Sequence, residues 1–149
     1  MDSLLIGSFK LLMASVIGVF IGIDQKHRGK EAGPKTHCLV CLGSTLAVLA
    51  GDYIGGDATA RIASQVVTGV GFLGAGVILV KNNYQIQGLT TAAGIWLVAC
   101  LGITLATDGW PLALVACAIW FVIARVFVHK EDKNNENINI KSVKEGGKQ

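Results

Sequence analysis

The sequence predicts an all-α integral membrane protein of about five transmembrane helices packed through small residues. Three observations carry that expectation. Only 15% of the 149 residues are charged while 52% are hydrophobic, well under the roughly 25% charge of a soluble domain. Five mostly apolar runs can be drawn along the chain, each long enough at ~1.5 Å per residue to cross most of a ~30 Å hydrocarbon layer. Finally, Lys and Arg sort into alternate connectors, as cytoplasmic loops require.

The first run spans Ser3 to Ile23, and the charged segment from Asp24 to Lys35 stops it because such side chains are costly in lipid. Gly29, Gly33 and Pro34 make that segment a turn. The second run covers Thr36 to Tyr53, followed by an acidic, glycine-rich loop reaching Asp57. The third is Ile62 to Val80, and residues 81 to 88 read as a polar hairpin. The fourth runs from Leu89 to Ala106, and a short turn through Trp110 and Pro111 leads to the fifth, Leu112 to Val128. No basic stretch precedes the first run and no small-residue cleavage site follows it, so a removed signal peptide is not expected.

One set of connectors holds Lys26, Arg28, Lys30, Lys35 and Lys81, and the tail adds five more lysines, whereas the opposite set holds Arg61 alone. Five spans with the N-terminus outside and the C-terminus cytoplasmic satisfy every loop. The expected division is therefore a transmembrane domain over 1–128 and a polar, disordered cytoplasmic tail over 129–149, too poor in apolar residues to offset chain entropy. A formal charge of +3 with no basic patch gives no reason to expect nucleic acid.

Small residues suggest what the helices do. Gly69, Gly71, Gly74 and Gly76 in the third run would weaken a helix in water by about 1 kcal/mol each, but in lipid they let another backbone approach closely. Ser64, Thr68, Gly71 and Ala75 share one face, expected to meet another helix. Gly18 and Gly22 form a second such pair. Gly69 to Gly74 also spells the dinucleotide fingerprint, yet without the flanking strand that motif requires; helix packing is the preferred reading.

Polar residues near or inside the spans are the other candidates. Lys10 is expected either to snorkel outward or to pair with Asp52 or Asp57. Asp24 lies within reach of Lys35, Thr36 and His37, either as a solvated ion pair and cap or as part of a polar cluster able to hold a cation. Arg61, Ser64, Gln65, Thr68, Thr90 and Thr91 complete the set. Cys38 and Cys41 beside His37 invite a zinc reading, but nothing in the spacing supplies the remaining ligands, so buried thiols are preferred. No catalytic constellation stands out and no cofactor is indicated.

Several segments together resemble the N-terminal transmembrane domain of the MgtC/SapB family. They are Gly22-Ile-Asp24, Arg28-Gly-Lys30, Ala32-Gly33, Lys35-Thr-His37, Leu39-Val-Cys-Leu-Gly43, Asp57, Arg61-Ile-Ala63, Gly69-Val-Gly-Phe-Leu-Gly-Ala-Gly-Val-Ile78, Gly88-Leu-Thr-Thr-Ala-Ala93 and Trp96. The resemblance implies a multi-pass bacterial inner-membrane protein, linked to growth at low magnesium and survival in host cells by acting on other membrane proteins. The chain departs from the family pattern at Asp24, where glutamate is usual, at Lys26, where a second acid often stands, and at Lys35, where arginine is usual. The second change weighs against a divalent-cation site beside Asp24, and the third removes a bidentate fork. Many relatives also continue into a folded cytoplasmic domain.

Two functions follow. The favoured one is a non-enzymatic regulatory or interaction protein in the lipid bilayer, forming a homo-oligomer or binding other membrane proteins through its small-residue faces. The alternative is a small-ion transporter or channel lined by Lys10, Asp24, Ser64, Gln65, Thr68 and Thr91.

Overall fold

The computed structural model describes residues 2–81, 85–107 and 109–126. The proposed tail over 129–149 and the end of the fifth run at Val128 lie outside the described residues. Helices α1 (Asp2–His27), α2 (Pro34–Ile54), α3 (Ala58–Val77) and α4 (Leu89–Ala106) are each long and apolar enough to cross a membrane. A further apolar helix, α5 (Trp110–Val126), is 17 residues long. The all-α membrane architecture read from the sequence therefore holds.

Element ends follow local chemistry. Helix α1 runs one turn beyond the expected Ile23 and closes at Gly29 in a left-handed conformation (φ +68°). There the Lys30 and Gly29 amides donate to the Gln25 and Lys26 carbonyls, a glycine C-cap that satisfies exposed carbonyls. Pro34 then sits at the first position of α2, where its missing N–H costs nothing.

The third span is displaced toward the N-terminus, beginning at Ala58 rather than Ile62 and stopping before Val80. Helix α3 ends at Val77, and Leu79–Lys81 (β1) leaves it to pair antiparallel with Gln85–Gln87 (β2), in the register Leu79 to Gln87, Val80 to Ile86 and Lys81 to Gln85. Extending the helix to Val80 misjudged these residues because an apolar run looks alike in helix and strand. Gly88 (φ +89°) joins β2 to α4 so tightly that a Cβ there would lie 2.2 Å from the Val77 carbonyl oxygen, a position only glycine can hold.

Two compact units divide after Ala113. In the first, α2 is the hub, packing against α1, α3 and α4. Gly18 and Gly22 bring α1 onto α2: a Cβ on Gly18 would sit 2.6 Å from the Cys38 Cα, and one on Gly22 2.3 Å from the Pro34 Cα. Chain order reverses between these contacts, so the two helices run antiparallel. Gly102 plays the same part between α4 and α2, where a Cβ would meet the Cys41 carbonyl oxygen at 2.5 Å. Thr45, fully buried, donates its hydroxyl to both the Cys41 and Gly102 carbonyls at 2.9 Å. Ile21, Val48, Ile95, Val98 and Leu105 fill the interior. In the second unit, the Arg125 guanidinium lies 4.8 Å from the Phe121 ring centroid, a cation–π contact within α5.

Candidate functional site: a polar junction and an open helix face

One end of the four-helix unit gathers the C-terminus of α1, the start of α2, the N-terminus of α4 and the hairpin. Asp24 pairs with Arg28 one turn on, the Arg28 Nη2 lying 3.0 Å from Asp24 Oδ1, and both side chains are mostly buried. Asp24 is thus engaged by Arg28 within α1, in a pair that is mostly buried rather than solvated. Behind it Gln25 and His37 are buried at 4% and 0% exposure. The His37 Nδ1–H donates to the Gly33 carbonyl at 3.0 Å, which leaves Nε2 as an acceptor. Neither that atom nor the Gln25 Oε1 has a hydrogen-bond partner among the described residues. Both side chains converge on Gly94, where a Cβ would stand 3.3 Å from the Gln25 amide nitrogen and 3.5 Å from the His37 Nε2.

The α1–α2 loop closes this junction from outside. Ala32 is buried and clusters with Val70, Ile95 and Ala99. Next to it, the Glu31 carboxylate accepts the hydroxyl of fully buried Thr91 at 3.0 Å. Its own backbone amide and then the Thr91 hydroxyl hold the Glu31 carboxyl below its usual value, desolvation opposing them and the nearby Lys30 charge adding the smallest pull. Lys30, Glu31, Gln87, Thr90 and Thr91 line a polar recess of about 430 Å³ over the start of α4.

The opposite end holds Lys10. Its ammonium donates to the Ala106 carbonyl at 2.7 Å, in the last turn of α4 where carbonyls are unpaired and the helix dipole favours a cation. Asp52 accepts the Thr59 hydroxyl at 2.8 Å, and Lys10 and Asp52 share a recess of about 370 Å³ with Ser3 and Tyr53. Snorkelling and pairing with an acid both overlooked the carbonyl, because a contact 96 residues away carries no local signal.

The expected polar set is thus divided rather than assembled. Lys10 lies at one end, Asp24, His37 and Thr91 at the other, and Lys35, Thr36, Asp57, Arg61, Ser64, Gln65, Thr68 and Thr90 are exposed. Gln25, Glu31, Thr45 and Gly94 carry no signal in the sequence; burial reveals Gln25, Thr45 and Gly94, and the bond from Thr91 reveals the exposed Glu31. Among the described residues no three His, Cys, Asp or Glu side chains group as metal ligands.

The small-residue positions divide between inner and outer faces. Gly18 and Gly22 face a neighbouring backbone, and a Cβ on Gly74 would lie 3.6 Å from the Ala92 Cβ, but one on Gly69, Gly71 or Gly76 would meet nothing within 4 Å. The face of Ser64, Thr68, Gly71 and Ala75, expected against another helix, points away from the rest of this chain. Periodicity identified the face without its direction, since small residues suit an inner and an outer contact equally.

The model of the MgtC family matches residues 11–132. The chain belongs to this family. Relatives include YhiD of Escherichia coli K12, named as a candidate magnesium transporter, 41% identical over 79% of this chain and 59% of its own. SrpB of Synechococcus elongatus is 38% identical over 72% of this chain and 67% of its own. MgtC of Salmonella typhimurium is 38% identical over 73% of this chain and 47% of its own. The chain therefore spans only about half to three fifths of the length of YhiD and MgtC. No solved structure matches it. The family and the four apolar helices establish a membrane protein.

Proposed function

We propose that this MgtC-family chain is a multi-pass inner-membrane regulatory protein that serves magnesium homeostasis by binding other membrane-embedded helices. Its N-terminus lies outside and its C-terminus in the cytosol, with residues 1–128 as the membrane domain and 129–149 as a cytoplasmic tail. The relation to MgtC and YhiD supports the magnesium link. The observation that carries the binding role is the α3 face, where Gly71 stands open among exposed Ser64, Thr68 and Ala75. Polar and small residues on a spanning helix suit a neighbouring helix better than lipid tails.

Gly71→Leu tests the role cleanly, because its side chain meets nothing within the chain, whereas Gly74→Leu would press on Ala92. The full chain carrying Gly71→Leu should insert normally, lose co-purifying membrane proteins and fail to support growth at low magnesium. Retention of both properties would reject the reading.

The transporter alternative draws support from one observation, the buried and unpartnered Gln25 Oε1 and His37 Nε2. Ser64, Gln65 and Thr68 lie outside the packed interior and do not join them in a path through one copy. Purified protein in liposomes should show no uptake of magnesium, potassium or protons; ion-dependent flux would favour transport instead.

A further inference from the structure

Helix α3 is the least covered span, with 11% of its most apolar window buried against 56% for α4. Its open face is not merely small. Asp57, Arg61, Ser64, Thr68, Gly71 and Ala75 follow one another at alternating intervals of four and three residues, and every one is exposed. That alternation is the seam of a helix meeting another nearly in parallel. Asp57 caps no backbone amide with its side chain, and no ion pair joins it to Arg61 one turn away, the Asp24–Arg28 pair being the salt bridge among the described residues. The hydroxyls of Ser64 and Thr68 are satisfied within the helix, by the carbonyls of Arg61 and Ser64. The exposed Gln65 amide has no such partner among the described residues and, with Arg61, lines an open notch of about 370 Å³. A bare amide is costly on a membrane-spanning surface, and the charges of Asp57 and Arg61 stand unmatched at the mouth of the same helix.

Resting on the interaction reading above, we propose that this face docks a second copy of the chain, α3 against α3 about a two-fold axis along the membrane normal, with Arg61 of each copy paired to Asp57 of the other. The charges argue for a copy of this chain. A two-fold contact brings residue i onto residue j and j onto i, so a face carrying one acid and one base a turn apart supplies its own complement. Two copies inserted in the same orientation place these turns at the same depth. Helical side chains lean toward the helix N-terminus, which directs Arg61 toward the level of Asp57 on the opposing helix. The Gln65 carboxamide is likewise self-complementary, since each copy offers both donors and an acceptor. Gly71 and Ala75 permit the close approach farther along.

The test uses the full chain in phosphatidylethanolamine and phosphatidylglycerol liposomes, with energy transfer between two fluorescently labelled populations. Wild type should associate, and unlabelled protein should compete the signal away. Asp57→Arg alone and Arg61→Asp alone should each lower self-association about tenfold or more, because like charges then face each other. Mixing the two variants restores opposite charges and should bring association back to near the wild-type level, which also shows that both variants are folded. Unchanged association of either single variant, a mixture as weak as its components, or a monomeric wild type would overturn the inference. A monomeric wild type whose partner capture is still abolished by Gly71→Leu would sink the copy-to-copy contact alone. A Gly71→Leu protein with intact capture and growth would sink the interaction reading instead.

Discussion

Replacing Gly22 by Ala tests the antiparallel α1–α2 contact directly. The added methyl would lie 2.3 Å from the Pro34 Cα, 2.8 Å from its nitrogen and 2.9 Å from the Gly33 carbonyl oxygen. Carbon atoms prefer separations of about 3.5 to 4.0 Å, so the helices must part by more than about 1 Å or the α2 start must shift. All three neighbours are backbone atoms, and two belong to a proline with a fixed φ, so yielding is expensive. Overpacking of this kind costs about 1–3 kcal/mol, here near the upper end. The better helix propensity of Ala returns about 1 kcal/mol, which leaves a net loss of about 2 kcal/mol. Gly71→Ala enjoys the same propensity gain with no neighbour within 4 Å and should be neutral or stabilised by up to ~1 kcal/mol. Reversible unfolding in mixed micelles, followed by helicity, measures both. Equal stability of the two variants would refute the reasoning. Gly18→Ala combined with Gly22→Ala should cost less than the sum, because the first methyl already opens the shared contact.

Other perturbations probe the remaining contacts. Thr45→Val keeps the shape but removes the hydroxyl shared by the Cys41 and Gly102 carbonyls, and should lower stability by about 1 kcal/mol in the same unfolding assay. Because the Glu31 carboxyl is held below its ordinary value of 4.5, its charged form adds stability above that pH and the contribution disappears as pH falls through the lowered value. Melting temperatures between pH 3 and pH 7, on the order of the range where carboxylates titrate, should therefore fall less on acidification in Glu31→Gln and Thr91→Val than in wild type. Lys10→Met removes the donor to the Ala106 carbonyl, so hydrogen exchange should quicken in the last turn of α4 while amides near Gly94 stay protected.

Much of this architecture can be read from residue order, for physical reasons that differ by feature. Four spans and the helix ahead of the tail follow from apolar length, which a bilayer enforces almost without regard to tertiary packing. Gly18 and Gly22 were legible because four-residue spacing of small residues has a direct packing meaning. The polar junction was only half legible. Asp24, His37 and Thr91 stood out as polar groups near spans, but Gln25 and Glu31 look like ordinary loop-side residues until burial and the Thr91 hydroxyl give them partners or deny them. The direction of the α3 face was not legible at all, since its hydrophobic contrast is with lipid as much as with protein. The break at Val77 escapes a reading of the sequence because the apolar Leu79 and Val80 satisfy their backbone in a strand pair as readily as in a helix.

The hairpin's attachment has a mechanical consequence. Single residues, Ile78 and Gly88, connect it to α3 and α4, and Gly88 is wedged beneath the Val77 carbonyl with no room for any side chain. Such short hinges leave the two strands little freedom to swing on their own. A force applied to that strand pair would consequently be delivered to both helices together, as a handle moves the pair of shafts it is welded to.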